Sequence, residues 1–376
     1  MGQSMQGVLR VAAIYPAFAP QVNEMAIAWQ RLTDAGLVAC RVVAGGEDRL
    51  KASRSALGVE QLPNLEILRV PGLLAPGRLT DDAVAWAAQF KPEVVFCALP
   101  LNVANARRIA RRAGAPILLH AETWLDETLM PRRRYLGLRP LRPLVGRALR
   151  HWYRRQVEAV AFSDPREIDA LRPCPGYRYL AWPHPRWSGA PSVERDSRAL
   201  DTVLYVGSLY WWKGAARLGE YGERLLTEDP QAKLEVVGPA LDRAARHALE
   251  RLAPWRASGR FRHIERLPRA EAMAHISRSL AVVYAHPRGG WGLIGDAWGC
   301  GTPVIAVASH YDIEDGVNAL VAPTAAEFVA TVQRLRHDAA LWQALSQQGR
   351  RTAESKHDVE LCASHLLQFL RARPQH

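Results

Sequence analysis

A glycine-rich loop in the second half of the chain carries the strongest chemical signal. The apolar run Leu280–Ala285 predicts a buried strand that leads through this loop into a helix bearing Asp296. Glycines let backbone approach an anion closely, and amides at a helix start point at it. Asp296 could then accept hydrogen bonds from a ribose diol. The candidate loop and helix-start residues are Gly289, Gly290, Gly292, Leu293 and Ile294. The pattern predicts a diphosphate cradle, with a tight connection and a helix-capping Asp as the alternative.

A lysine follows an earlier strand of the same half. The run Thr202–Val206 predicts a strand that ends at Gly207-Ser208, and Lys213-Gly214 is expected to open a helix over Lys213–Thr227. Lys213 is one of five lysines in a chain with 44 arginines. An ammonium group at this point could bind a phosphate. A surface lysine at a helix start is the alternative.

A basic segment lies between these motifs and the N-terminus. Pro131–Val157 contains nine arginines, no acidic residue, and interleaved Trp, Tyr and Leu, in a chain of net charge +12. Such a segment could lie against anionic lipid headgroups, at about 1 kcal/mol per arginine. A solvated basic face and a site for a phosphorylated acceptor stay open. No motif typical of nucleic-acid binding accompanies it. The candidate acceptor-facing or membrane-facing residues are Glu122, Arg132, Arg133, Arg134, Arg139 and Arg142.

Composition and length limit the class of protein. The 376 residues, 48% hydrophobic and 23% charged, exclude disordered, collagen-like and disulfide-stapled chains and suit two domains. Apolar runs are too short to span a bilayer, and the N-terminus lacks the features of a signal peptide, so we expect a cytoplasmic protein. Five scattered cysteines without a CxxC pair predict reduced thiols and no structural zinc.

The elements that must position these residues alternate between strand and helix in both halves. This order predicts two doubly wound Rossmann-like α/β domains with ligands at the carboxyl ends of the strands, in a cleft between them. The Pro- and Gly-rich run Pro173–Arg198 predicts the connection. We therefore expect a first domain over 1–185, a linker over 186–200, a second domain over 201–355, and a C-terminal helix over 356–376 that could return to the first domain.

The order of motifs in the second half resembles the retaining GT-B glycosyltransferases of family 4, the glycosyl transferases group 1. The resemblance covers about 120 residues. The matching segments are Val206-Gly207 with Lys213-Gly214, Val236–Pro239, Trp291–Leu293 with Asp296-Ala297, Gly301–Ala306, and Asp315–Asn318. The N-terminal half matches only in outline. The resemblance implies a GT-B fold, with acceptor binding in the first domain and nucleotide-sugar binding in the second domain.

Site roles follow from the resemblance residue by residue. Lys213 and the backbone near Gly207 would bind the donor diphosphate, and Asp296 would hold the ribose in place of the family's second glutamate. His120, at the end of the strand Pro116–His120, resembles the histidine that faces the donor sugar, although a lone histidine is more often structural. The implied catalytic residues are therefore His120, Lys213 and Asp296. The nucleobase would contact backbone around Glu265–Arg269.

Three departures weaken the match. The family's first glutamate corresponds to Arg288, or to Gly289 with one deletion, so no carboxylate is present there. Ser208 replaces a phosphate-binding arginine, and Arg288 could supply that charge from the opposite loop. Gln21-Val22 replaces the glycine pair that follows the first strand in the family.

The resulting prediction is a metal-independent, retaining glycosyltransferase with a nucleotide diphosphate sugar as co-substrate and no cofactor. The basic segment suggests a membrane-linked saccharide acceptor, and hence a role in bacterial cell-envelope, lipopolysaccharide or exopolysaccharide synthesis at the inner face of the membrane. Two alternatives stay open. One is a catalytically impaired homologue that binds glycans or acts as a scaffold. The other is a sugar-nucleotide epimerase, for which Glu122 and Asp126 would be the acid and base.

Overall fold

The computed structural model describes most of the chain. The described residues are 7–15, 18, 24–45, 47–48, 53–54, 58–70, 79–98, 102–121, 144, 151–152, 155–162, 178–181, 193–286, 292–309 and 312–371. They divide into two compact units, Met1–Pro183 with Glu360–His376, and His184–Val359. Within the described ranges no helix is long and apolar enough to cross a membrane.

The N-terminal unit is built on an eight-stranded sheet. The strands of this unit are β1 (Leu9–Tyr15), β2 (Val38–Gly45), β3 (Glu47–Asp48), β4 (Ser53–Arg54), β5 (Gly58–Leu62), β6 (Leu65–Val70), β7 (Val94–Ala98), β8 (Ile117–Ala121), β9 (Ala159–Phe162) and β10 (Arg178–Ala181). The sheet order is β10-β9-β8-β7-β1-β2-β6-β5, and β3 pairs separately with β4. Every pairing in the sheet is parallel except that of β5 with β6. Strands buried on both faces explain the apolar runs of this half.

Helices cover both faces of this sheet. The described helices are α1 (Glu24–Asp34), α2 (Asp81–Gln89) and α3 (Val103–Ala113). On one face, Trp29 of α1 packs in the same core as Leu366 and Phe369 of the last helix of the chain, Val359–Arg371. Val84 of α2 and Ile109 of α3 pack on the other face. The last helix therefore completes the core of the first unit.

The C-terminal unit has an all-parallel six-stranded sheet. Its strands are β11 (Ala199–Val206), β12 (Lys233–Val237), β13 (Phe261–Ile264), β14 (Ser279–Tyr284), β15 (Val304–Ala306) and β16 (Leu320–Val321). Its helices are α4 (Ala215–Glu228), α5 (Arg243–Leu252), α6 (Arg269–Arg278), α7 (Gly292–Gly299), α8 (Ala325–His337) and α9 (Ala339–Lys356). The last helix of the chain is α10. Strand order β13-β12-β11-β14-β15-β16 places the reversal of winding between β11 and β14. In open α/β sheets ligands bind outside the carboxyl ends of the strands at this reversal.

Local sequence explains where the helices of this unit begin. Asp242 and Thr324 accept hydrogen bonds from backbone amides at the starts of α5 and α8, and Thr324 forms a capping box with Glu327. Leu218 and Leu225 of α4 pack with Phe328 of α8 on one face of the sheet, and Trp298 of α7 lies in the core of the other face. The two doubly wound α/β units confirm the predicted fold class.

Two predictions of local structure are wrong. The run Pro173–Arg198 contains a strand, β10, which pairs in parallel with β9 at the sheet edge. The four residues of β10 are too few to show the alternating apolar pattern of a strand within a Pro-rich segment. The predicted helix over Lys213–Thr227 is divided: a 3-10 turn covers Trp211–Lys213, and α4 begins at Ala215. Gly214 between them has φ 84°, a left-handed conformation that interrupts the helix.

Candidate functional site

Three loops meet at the carboxyl ends of β11, β12 and β14. The Gly207 amide, after β11, donates to the Val237 carbonyl of β12 at 2.8 Å. Gly238 has φ 137°, and a Cβ on it would lie 2.1 Å from the Gly207 carbonyl oxygen. A Cβ on Gly214 would lie 2.0 Å from the Ala285 carbonyl oxygen. Only glycine permits these backbone contacts, which bring the loops after β11 and β14 together at the winding reversal.

The loop after β11 is fixed by hydrogen bonds to the loop after β12. Leu209 donates to the Pro239 carbonyl at 2.9 Å, and Leu241 donates back to the Leu209 carbonyl at 3.0 Å. The Trp211 amide donates to Asp242 Oδ2 at 2.8 Å, while Asp242 Oδ1 accepts from Ala245 at 2.9 Å. One carboxylate thus holds the loop and caps α5.

Lys213 stands at the end of this fixed loop. Its Nζ lies 5.4 Å from the ring centroid of Tyr210, within cation–π range. Ser208 is buried, and its carbonyl oxygen accepts a hydrogen bond from the Tyr205 hydroxyl at 3.3 Å. Gly207, Ser208 and Lys213 therefore lie in the segment that follows β11, and their binding of a phosphate stays a prediction.

The loop after β14 leads into α7. Helix α7 begins at Gly292, so the amides of Leu293 and Ile294 lie in its first turn, where a helix supplies no carbonyl partner. Ile294 is buried in the core, which fixes the start of the helix. The predicted loop residues Arg288, Gly289 and Gly290 lie outside the described residues.

Asp296 forms an ion pair that the sequence analysis did not foresee. Arg269 donates from its terminal nitrogen to Asp296 Oδ1 at 2.6 Å, and the two side chains are 25% and 12% exposed. Arg269 is the first residue of α6, just after the loop Glu265–Pro268 that follows β13. An arginine at a helix N-terminus is unfavourable, because the positive end of the helix dipole lies there. This unusual placement was the sequence signal that could have indicated an acidic partner for Arg269.

Burial keeps three weakly acidic side chains near this site, two tyrosines and one cysteine, protonated. Burial raises the pKa of Tyr284 well above its ordinary value, reinforced by Tyr205 and Tyr210, and burial also raises the pKa of Tyr205. The pKa of the Cys300 thiol rises to about 12, through burial and then the nearby Asp296 charge. These groups therefore stay neutral at physiological pH and act as packing or hydrogen-bonding groups.

His120 belongs to the other unit. It lies inside β8, which continues to Ala121, and is 2% exposed. Its ring stacks on Phe96 at 6.4 Å between centroids, with an interplanar angle of 19°. A role toward a donor sugar stays a prediction. The candidate acceptor residue Glu122, with Asp126, Arg132, Arg133, Arg134, Arg139 and Arg142, lies outside the described residues.

Within the described ranges, no group of three or more His, Cys, Asp or Glu side chains is placed to hold a metal ion. Cys40, Cys97, Cys300 and Cys362 are buried.

Comparisons with known proteins agree with this geometry. Residues 201–338 match the family model described as Glycosyl transferases group 1. No curated protein matches the sequence. Sucrose-phosphate synthase from Thermosynechococcus elongatus is similar in structure, with a TM-score of 0.76, 18% identity, and coverage of 96% of this chain and 98% of that chain.

Two further solved structures are similar over almost their whole length. HepE from Anabaena, solved with UDP and glucose, has a TM-score of 0.72 and 13% identity, covering 97% of this chain and 100% of its own. A UDP-forming trehalose-phosphate synthase from Burkholderia xenovorans has a TM-score of 0.66 and 14% identity, covering 97% and 99%. These likenesses confirm the GT-B fold, and the family match confirms the resemblance of the second unit to glycosyl transferases group 1.

Proposed function

We propose that this chain, a GT-B protein whose residues 201–338 match glycosyl transferases group 1, transfers a sugar from a UDP-sugar to an acceptor hydroxyl. The observation that carries the proposal is the contact of the Gly214 and Ala285 backbones at the winding reversal, beside Lys213 and the start of α7. The similar HepE was solved with UDP and glucose, and the similar trehalose-phosphate synthase is UDP-forming, which supports a uridine donor.

The proposed chemistry develops negative charge on the leaving diphosphate. As the bond from the sugar C1 to the β-phosphate oxygen breaks, Lys213 and the first-turn amides of Leu293 and Ile294 stabilise that charge. Asp296 accepts hydrogen bonds from the ribose and fixes the nucleotide. Because these groups already supply positive potential at the diphosphate, we propose that catalysis needs no metal ion.

We also propose that the sugar keeps its anomeric configuration, as the resemblance implies. The acceptor oxygen attacks on the face from which the diphosphate leaves, and its proton passes to the departing phosphate oxygen. No enzyme base is then required. His120 would orient the donor sugar and stabilise its developing positive charge.

The acceptor is proposed to be a membrane-linked saccharide, as in cell-envelope, lipopolysaccharide or exopolysaccharide synthesis in a bacterium. The basic run Pro131–Val157 supports this, since arginines with interleaved aromatics suit an anionic lipid surface. Helix α3 adds exposed Arg111 and Arg112 to the same unit. The protein would then act from the cytoplasmic side, at the inner face of the membrane.

Specific residues favour a second candidate, a homologue that binds its ligands without turnover. No carboxylate stands at Arg288 or Gly289, and Ser208 occupies the position of a phosphate-binding arginine. An epimerase would instead need an acid and base pair such as Glu122 and Asp126. Nucleotide binding alone does not separate these candidates from a transferase, so turnover must be measured.

The test is to incubate the purified chain with each of a panel of nucleotide sugars. Each reaction is run with and without membrane lipid extract, and each of these with and without a metal chelator. Free nucleotide, product sugar and donor epimer are measured. We expect nucleotide release from one donor, increased by the lipid extract and unaffected by the chelator. Thermal stabilisation by nucleotide without release would favour the binding protein, and an epimerised donor would favour the epimerase.

Lys213→Ala tests the residue that carries the proposal. We expect a loss of roughly 100- to 1,000-fold in turnover, as for other groups that stabilise developing charge. Lys233→Ala is the matched control, because Lys233 begins β12 at the opposite end of the same sheet and pairs with Asp201 at 2.8 Å. Equal losses in both variants would contradict the assigned role of Lys213.

A further inference from the structure

The ion pair of Arg269 with Asp296 joins two parts of the candidate donor site that arise from different strands. Arg269 follows the loop that leaves β13, whereas Asp296 lies in α7, which follows β14. In the sheet, β12 and β11 lie between these two strands. The bond at 2.6 Å therefore connects the loop Glu265–Pro268 with the helix that begins at the glycine-rich loop.

The placement of Arg269 needs a physical reason. It is the first residue of α6, where the partial positive charge of the helix N-terminus makes a cation unfavourable. It is also three-quarters buried, which removes much of its hydration. Asp296 offsets both costs, and the guanidinium in turn fixes the rotation of a carboxylate that is 12% exposed.

We propose that Arg269 is a positioning residue that orients the Asp296 carboxylate toward the donor ribose and so makes the site select ribonucleotides over deoxyribonucleotides. The inference rests on the proposed function, in which Asp296 binds the ribose. With Asp296 Oδ1 held by Arg269, the carboxylate keeps one orientation, and a ribose hydroxyl meets an acceptor that is already in place. A deoxyribose lacks that hydroxyl, so the orientation of the Asp296 carboxylate does not increase its binding affinity.

Calorimetric binding to the full chain tests the inference. The probes are UDP, 2′-deoxy-UDP and 3′-deoxy-UDP, with ADP, GDP and their deoxy forms as parallel arms. In the wild-type chain we expect UDP to bind roughly 10-fold more tightly than at least one deoxy form, the ratio for one hydrogen bond to a charged acceptor. In Arg269→Gln this ratio should fall to about 2 or less, mainly through weaker binding of UDP.

Further variants separate orientation from general stability. Arg269→Lys keeps the charge and should restore part of the ratio. Asp296→Asn should lower the ratio as Arg269→Gln does, and the double variant should lower it no further. Arg336→Gln is the matched control, since Arg336 pairs with Asp229 at 2.7 Å in the same unit with side chains 10% and 5% exposed. It should lower the melting temperature and leave the ribose ratio unchanged.

Three results would overturn the inference in different ways. Equal weakening of UDP and deoxy-UDP binding by Arg269→Gln would make Arg269 merely structural. Equal binding of UDP and both deoxy forms by the wild-type chain would show that the site makes no contact with a ribose hydroxyl. Failure of the wild-type chain to bind any nucleoside diphosphate would overturn the proposed function, and the inference with it.

Discussion

Lys213 and Gly214 are adjacent residues with different physical tasks at the loop after β11. Lys213 supplies charge, which a reader of the sequence can recognise from its residue type and from the scarcity of lysine in this chain. Gly214 is required because it has no side chain: its φ of 84° and its contact with the Ala285 carbonyl exclude a Cβ. The position of Lys213 depends on that contact.

Gly214→Ala should therefore destabilise the C-terminal unit by about 3 kcal/mol, through a strained left-handed alanine and the displacement of the β14 loop. Donor affinity should fall as well. Urea unfolding and donor binding measure the two effects. Gly259→Ala is the matched control, because Gly259 has φ 71° with nothing within 4 Å of a Cβ. It should cost about 1 kcal/mol. Similar costs in the two variants would show that the backbone contact does not matter.

Residue types alone located Lys213 and Asp296, but not what surrounds them. The sequence suggested Asp296 as a ribose acceptor from its place one turn into a helix. Its partner Arg269 is 27 positions earlier and belongs to another helix, so no local pattern could connect them. For His120, the strand was predicted from the sequence but the surroundings of the side chain were not. Its burial against Phe96 arises from tertiary packing.

At the scale of elements, Asp242 links the start of α5 to the loop that carries Lys213. One oxygen accepts from Ala245 in the helix and the other accepts from Trp211 in the loop. Aspartate is a favoured N-cap residue, so the first contact follows a local rule of sequence. The second contact joins residues that are 31 positions apart, and no local pattern indicates it.

Asp242→Asn separates these two contacts. An amide has one acceptor oxygen, so it can serve the helix or the loop but not both. We expect the unfolding free energy to fall by about 1 kcal/mol and the donor KM to rise several-fold. Thr324→Ala, which removes the cap of α8, should lower stability by a similar amount and leave the donor KM unchanged. If both variants change KM equally, the loop contact has no role in donor binding.

Strands and helices with strong patterns were predicted closely. Their patterns predict helices over Asp81–Gln89 and Ala325–His337 and strands over Val94–Ala98 and Lys233–Val237. The structure has α2, α8, β7 and β12 with these bounds. The failures occur where tertiary context dominates. Strand β10 is defined by its pairing with β9, and the break before α4 is defined by the close approach of Gly214 to the β14 loop.

At the scale of the whole molecule, α10 is the element that makes the N-terminal unit discontinuous in sequence. Leu366 and Phe369 lie in the core formed by β1, β2 and α1, although more than 300 residues separate them from those elements. Such a return is one of the expectations stated for the C-terminal helix, and the apolar spacing of the helix supports it.

Phe369→Ala should therefore destabilise the N-terminal unit by about 3 to 5 kcal/mol, because the side chain is 5% exposed and leaves a cavity. Hydrogen exchange resolved by peptide should show faster exchange in β1 and β2 and unchanged exchange in β11 and β12. Gln368→Ala, an exposed neighbour on the same helix, should have little effect. Faster exchange spread evenly over both units would indicate that they do not unfold separately.

The return of α10 also has a consequence for synthesis of the protein. The unit His184–Val359 is one continuous stretch, whereas the first unit needs residues from Glu360 onward. A ribosome moving along the message therefore delivers every part of the second unit before it delivers the last helix of the first. The first unit therefore waits in the nascent chain, with one sheet face covered only in part, until α10 has been made.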